Sequence, residues 1–110
     1  MNTEIELDYF GGYAPIQAEG KIGELNFYFR ARWDTWRFEI GKPGVEVPAR
    51  DDADLLFTRK GDYSPNDSHE EMAAVITNCF KEYLAETQKP NAAKLLSNLT
   101  EKLRAITNAE

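Results

Sequence analysis

The sequence predicts an α+β fold. An antiparallel meander of three to five strands occupies the N-terminal side, and two C-terminal α-helices cover one of its faces. Three observations carry this. Apolar residues alternate with polar ones between Pro15 and Gly41, turn residues punctuate that run, and the apolar spacing switches to a helical period after Asp67. A chain of 110 residues is long enough for one domain with one core.

The first strand is read in Glu4-Ile5-Glu6-Leu7-Asp8-Tyr9, ended by Gly11-Gly12. The next pair is read from its register. A loop at Gly23-Glu24, with Gly first as a type II′ turn wants, sets Ile22 opposite Leu25, Gly20 opposite Phe27, Ala18 opposite Phe29 and Ile16 opposite Ala31. Small residues then face large rings, and Gly20 is a strand glycine shielded by Phe27.

The third hairpin is read the same way. A two-residue loop at Asp34-Thr35 places Trp33 opposite Trp36, Ala31 opposite Phe38 and Phe29 opposite Ile40. Asp-Thr is a poor type I′ pair, which leaves room for a looser turn. A slip of one residue sets apolar against polar throughout, so the pattern disfavours it. Residues 42–67 read as loop-rich, with a short strand at Asp54-Leu55-Leu56-Phe57-Thr58-Arg59; the strands together span about 4–60.

Ser68-His69-Glu70-Glu71 is a capping box that opens a helix over about 68–87. Its apolar stripe is Met72, Val75, Ile76, Cys79, Phe80, Tyr83 and Leu84. A second helix spans about 91–108, capped by Asn91, with Ala92, Leu96, Leu99, Leu103 and Ile106 in heptad-like spacing. Two heptads are short for a coiled coil, so packing within the chain is expected, with a homodimer as the alternative to a monomer.

Composition excludes several function classes. The net charge is -6, which argues against broad attraction to phosphate backbones, and no direct sequence-specific nucleic-acid binding is expected. No run of 18 apolar residues suggests a membrane span, and the N-terminus lacks the pattern of a secretory leader. A single cysteine cannot form an internal disulfide, which fits a reducing compartment; a cytoplasmic location is the expectation. No cofactor is implied.

The candidate residues divide between a sheet face and a loop. Tyr28, Arg30, Arg32 and Arg37 point away from the aromatic face, with Arg30 expected opposite Glu39 and Arg32 opposite Arg37. The plain reading is a solvated face whose charges neutralise one another. The functional reading is a recognition surface, because opposed arginines cost stability unless an anion joins them. Trp33 and Trp36 read as a core-edge pair or, alternatively, as an exposed anchor for a partner's pocket.

Glu46, Asp51, Asp52 and Asp54 form an acidic stretch. It lacks the glycine and distal glutamate of a calcium loop, so it reads as a solvated loop or as a surface that meets a basic groove. His69 is the only histidine, and no nucleophile or acid stands near it in sequence. Cys79 lies on an apolar stripe and reads as core. Neither a catalytic site nor a metal site is expected.

The segment Tyr13-Ala14-Pro15-Ile16-Gln17-Ala18-Glu19-Gly20, followed by Phe27-Tyr28-Phe29-Arg30-Ala31-Arg32, resembles a pattern in small uncharacterised proteins of phages and prophages. The later stretch Tyr63-Ser64-Pro65-Asn66-Asp67-Ser68, which opens a helix, is similar too. The resemblance covers about half the chain and brings no catalytic residues. It implies an accessory role in a mobile element, a class that includes anti-CRISPR inhibitors. The expected function is therefore a non-enzymatic inhibitor or modulator. Its partner is a host protein or ribonucleoprotein complex whose nucleic-acid-binding or effector surface it occludes. The alternative is a small-molecule or peptide binding module.

Overall fold

In the computed structural model, the described residues are 4–13 and 15–109, with side chains described as far as 107. Ala14, within the segment that carries the phage-protein resemblance, lies outside them, as do residues 1–3. Five strands come first: β1 (Ile5–Gly11), β2 (Ile16–Ile22), β3 (Leu25–Arg32), β4 (Thr35–Gly41) and β5 (Leu55–Asp62). Two helices follow, α1 (His69–Thr87) and α2 (Ala92–Ala109). The strands form one sheet in chain order, and every neighbouring pair is antiparallel. The fold is thus α+β, as the alternation and the later helical spacing predict.

The aromatic face of the sheet lies under the helices. Phe27, Phe29 and Phe38 have no exposed surface, and neither does Phe80 of α1. Phe80 stands edge-on to Phe27 at 4.9 Å and to Phe38 at 5.0 Å, while Tyr83 meets Phe57 at 5.4 Å. These T-shaped contacts suit the ring quadrupoles. Helix α2 packs on α1 through Leu95, Leu99 and Leu103, and the Lys102 ammonium donates to the Ile5 carbonyl at 2.7 Å.

The β2–β3 register is the predicted one, pair for pair. A Cβ on Gly20 would lie 1.9 Å from the Glu6 carbonyl oxygen and 2.8 Å from Phe27, so only glycine fits between strand and ring. The β3–β4 register is different: Phe27 faces Ile40, Phe29 faces Phe38, and Ala31 faces Trp36. The hairpin turns at Trp33-Asp34, two places earlier along the summed register than at Asp34-Thr35. A shift of this kind leaves every side chain on its face, so alternation alone does not oppose it.

Helix α1 begins as predicted, with the Ser68 hydroxyl accepting from the Glu71 amide at 3.0 Å. It ends at Gln88, whose left-handed backbone (φ 51) closes the last turn before Pro90. Asn91 does not take the extended conformation of an N-cap. Its φ is 63, and its backbone carbonyl accepts from Leu95 at 3.0 Å.

Candidate interaction surface on the outer face of the sheet

Residues 42–54 fold across the sheet face that the helices leave open. Four contacts fix the segment. The Asn26 amide donates to the Val45 carbonyl at 2.9 Å, and the Ala49 amide donates to Glu39 Oε1 at 3.0 Å. Arg37 Nη2 donates to Asp52 Oδ1 at 2.7 Å, and the Lys42 amide donates to the Asp54 carbonyl at 2.9 Å. The acidic end is a short 3₁₀ turn, Asp52–Asp54, capped by the Asp51 carboxylate, which accepts from the Ala53 amide. Lys42 to Asp54 is therefore an ordered strap, and not merely a solvated loop.

The strap buries polar groups. Glu39 is 3% exposed, and its second oxygen accepts from Arg37 Nε at 2.6 Å. An ionised carboxylate at this depth is tolerable because two donors meet it, one of them charged. Burial works against the Arg37 charge, but its contacts with Asp52 and Glu39 outweigh that and raise its pKa. The carboxylates that a like-charged neighbour of Arg37 calls for thus come from the chain itself.

The shifted register moves the opposed arginines. Arg30, not Arg32, faces Arg37, and Lys60 flanks Arg37 on its other side. Tyr28 faces Glu39; it is nearly buried, and its hydroxyl accepts from Gln17 Nε2 at 2.6 Å. It floors the surface rather than projecting from it. Arg30 is exposed and Arg32 half-buried, and neither has an ion-pair partner among the described residues. The Arg32 guanidinium lies 4.9 Å from the centre of the Trp33 ring.

The two tryptophans part company. Trp36 stacks near Phe29 at 6.0 Å and lies over Gly61, where a Cβ would come within 2.6 Å of the indole. Trp33 occupies the turn with φ 64 and is 74% exposed, so it is no core-edge residue. Tyr28, Arg30, Arg32, Trp33, Trp36, Arg37, Glu39 and Pro48 line a groove of about 330 Å³ at this tip, together with Thr35.

At the other end of the face, Asp8, Glu19 and Glu46 border a hollow of about 310 Å³. Asp51 and Asp54 are exposed on the same strap that carries Glu46. The predicted residues therefore form two neighbouring regions, joined where Asp52 meets Arg37. Sequence reasoning did not find Asp8 and Glu19 for the acidic region or Pro48 for the basic one. Only the β1–β2 pairing and the path of the strap bring them in.

The remaining chemistry-bearing residues are structural. His69 is buried, with Nε2 2.7 Å from the Gly12 carbonyl and its ring against Tyr13 and Phe10. It ties the β1–β2 connection to the start of α1. Burial, aided by the Glu82 charge and opposed by Arg59, pushes the Cys79 thiol up to about 12, far from a reactive thiolate. Among the described residues no group of three or more His, Cys, Asp or Glu side chains could hold a metal ion, and no helix is long and apolar enough to cross a membrane.

No family model, no curated protein and no solved structure matches this chain.

Proposed function

We propose that the chain is a non-enzymatic inhibitor or modulator that binds a nucleic-acid-handling host protein or ribonucleoprotein in the cytoplasm and occludes its working surface. The observation that carries this reading is the fixed acidic region on the open face of the sheet. Asp8, Glu19 and Glu46 border one hollow, and Asp51 and Asp54 continue along the same strap. Carboxylates held on ordered backbone present negative charge to a basic groove without a large ordering cost on binding. The net charge of -6 steers such an encounter and makes it sensitive to salt. Helices α1 and α2 occupy the aromatic face, so the outer face is the side of the sheet open to a partner. The resemblance to small phage proteins favours the same class, anti-CRISPR inhibitors included.

The test is affinity capture from host lysate with the wild type and with Glu46→Gln/Asp51→Asn/Asp54→Asn. The wild type is expected to retain a nucleic-acid-binding protein that added nucleic acid displaces and rising salt releases. The neutralised variant is expected to lose it. Recovery of no such protein, or binding indifferent to salt and to the three substitutions, contradicts the reading.

A further inference from the structure

We infer that the groove at the β3–β4 tip is a second docking site, one that takes an acidic peptide segment of a partner protein. A carboxylate of the segment meets Arg30 and Arg32, and a neighbouring apolar side chain rests on Trp33. The inference rests on the reading above only in taking the outer face as the docking side, and it concerns the opposite, basic region.

Three observations converge on it. First, the groove lining holds three arginines and one glutamate, and that glutamate is used up by Arg37 and the Ala49 amide. Arg37 in turn is held by Glu39 and Asp52, which leaves Arg30 and Arg32 with guanidinium donors to offer. Arg30 stands directly across from Arg37, and Glu39 and Asp52 answer the Arg37 charge without forming an ion pair to Arg30.

Second, Trp33 is a bulky residue in the left-handed region, where glycine or asparagine is at home in a turn. Its indole is 74% exposed, so core burial does not account for its presence there. Its one described ring partner is the Arg32 guanidinium at 4.9 Å. The ring orients the arginine and offers an apolar face beside it, the pairing of residue types that dominates protein-binding anchors.

Third, the surroundings select a peptide over a polyanion. Asp34 lies in the same turn, Asp62 lies across from Thr35 on the neighbouring strand, and Asp52 borders Arg37. A single carboxylate brings one charge among these groups, whereas a run of phosphates along a nucleic-acid backbone brings many. The net charge of -6 adds to that repulsion.

The experiment is an NMR titration of the full chain, following the Trp33 indole and the Arg30 and Arg32 side-chain N–H signals. Three probes are used: a short, otherwise uncharged peptide with one glutamate beside a leucine, the same peptide with glutamine for glutamate, and a short single-stranded oligonucleotide. The glutamate peptide is expected to move these signals saturably. Arg30→Gln/Arg32→Gln is expected to weaken it by tenfold or more, as loss of charge-assisted hydrogen bonds does. Trp33→Gly, which relaxes the turn and keeps the fold, is expected to weaken it several-fold. Equal binding of the glutamine peptide, preferential binding of the oligonucleotide, or absence of any saturable shift overturns the inference. Glu46→Gln/Asp51→Asn/Asp54→Asn is expected to leave the peptide titration unchanged while abolishing capture of the basic partner. The two readings therefore fail separately.

Discussion

The two faces of one sheet are held by different physics. On the inner face Phe27, Phe29, Phe38 and Phe80 interlock with no exposed surface, and ion pairs enter only at its edge, where Arg59 of β5 lies over the Phe57 ring and meets Glu82 and Glu86 of α1. On the outer face the strap is fastened by hydrogen bonds and by the Arg37–Glu39 and Arg37–Asp52 contacts. The inner face derives its stability mainly from burial, and its charges are confined to the β5 edge. The outer face buries polar groups only where each has a partner, and it carries Arg30 and Arg32, which form no ion pair among the described residues.

Substitutions that probe the contrast differ in size accordingly. Phe38→Ala removes a ring packed against Phe27, Phe57 and Phe80 and is expected to cost about 3–5 kcal/mol in denaturant unfolding. Gly20→Ala, with the Glu6 carbonyl in the way, is expected to cost roughly 1–3 kcal/mol and to disturb the β1–β2 amide signals. Arg37→Leu leaves the Glu39 carboxylate buried with a single donor, at an expected cost of about 2–3 kcal/mol. Its partner change Asp52→Asn touches only an exposed pair and should stay below about 1 kcal/mol. A larger effect for Asp52→Asn than for Arg37→Leu would break the distinction between buried and exposed fastenings.

The inner face also carries a titration of its own. Folding raises the Cys79 thiol from 9.0 to about 12, mainly by burial, so the neutral form belongs to the native state. The stability this lends is fully present below pH 9.0 and is lost as pH rises from there through about 12. Wild type is therefore expected to lose stability over that alkaline range faster than Cys79→Ala, measured by urea unfolding at several pH values. Parallel pH profiles would count against the buried thiol as the cause.

The same contrast explains what the sequence made legible. Alternation wrote the inner face plainly: Phe27, Phe29, Phe38 and the stripe of α1 are where the periodicity puts them. It could not separate two β3–β4 registers that differ by a two-residue shift, because both keep Phe29 and Phe38 inside. The turn decides between them, and it does so by accepting a left-handed Trp33, which turn preferences argue against. The poor fit of Asp-Thr to a tight turn was the available warning. The strap was illegible for another reason. Its fastenings join Asn26 to Val45, Glu39 to Ala49 and Arg37 to Asp52, and no periodicity links such pairs. The acidic residues of 46–54 were visible as a composition, but their position over the sheet was not.

The claim that the basic tip is kept for binding and not for folding is tested most directly by denaturant unfolding of Arg30→Gln/Arg32→Gln/Trp33→Gly against wild type. Removing the paired cation and indole forfeits about 0.5–1 kcal/mol. Glycine at a left-handed position returns about 1 kcal/mol or more. The claim requires a midpoint equal to that of the wild type or slightly higher. A loss of more than about 1 kcal/mol would show that these three side chains build the fold, and would contradict it.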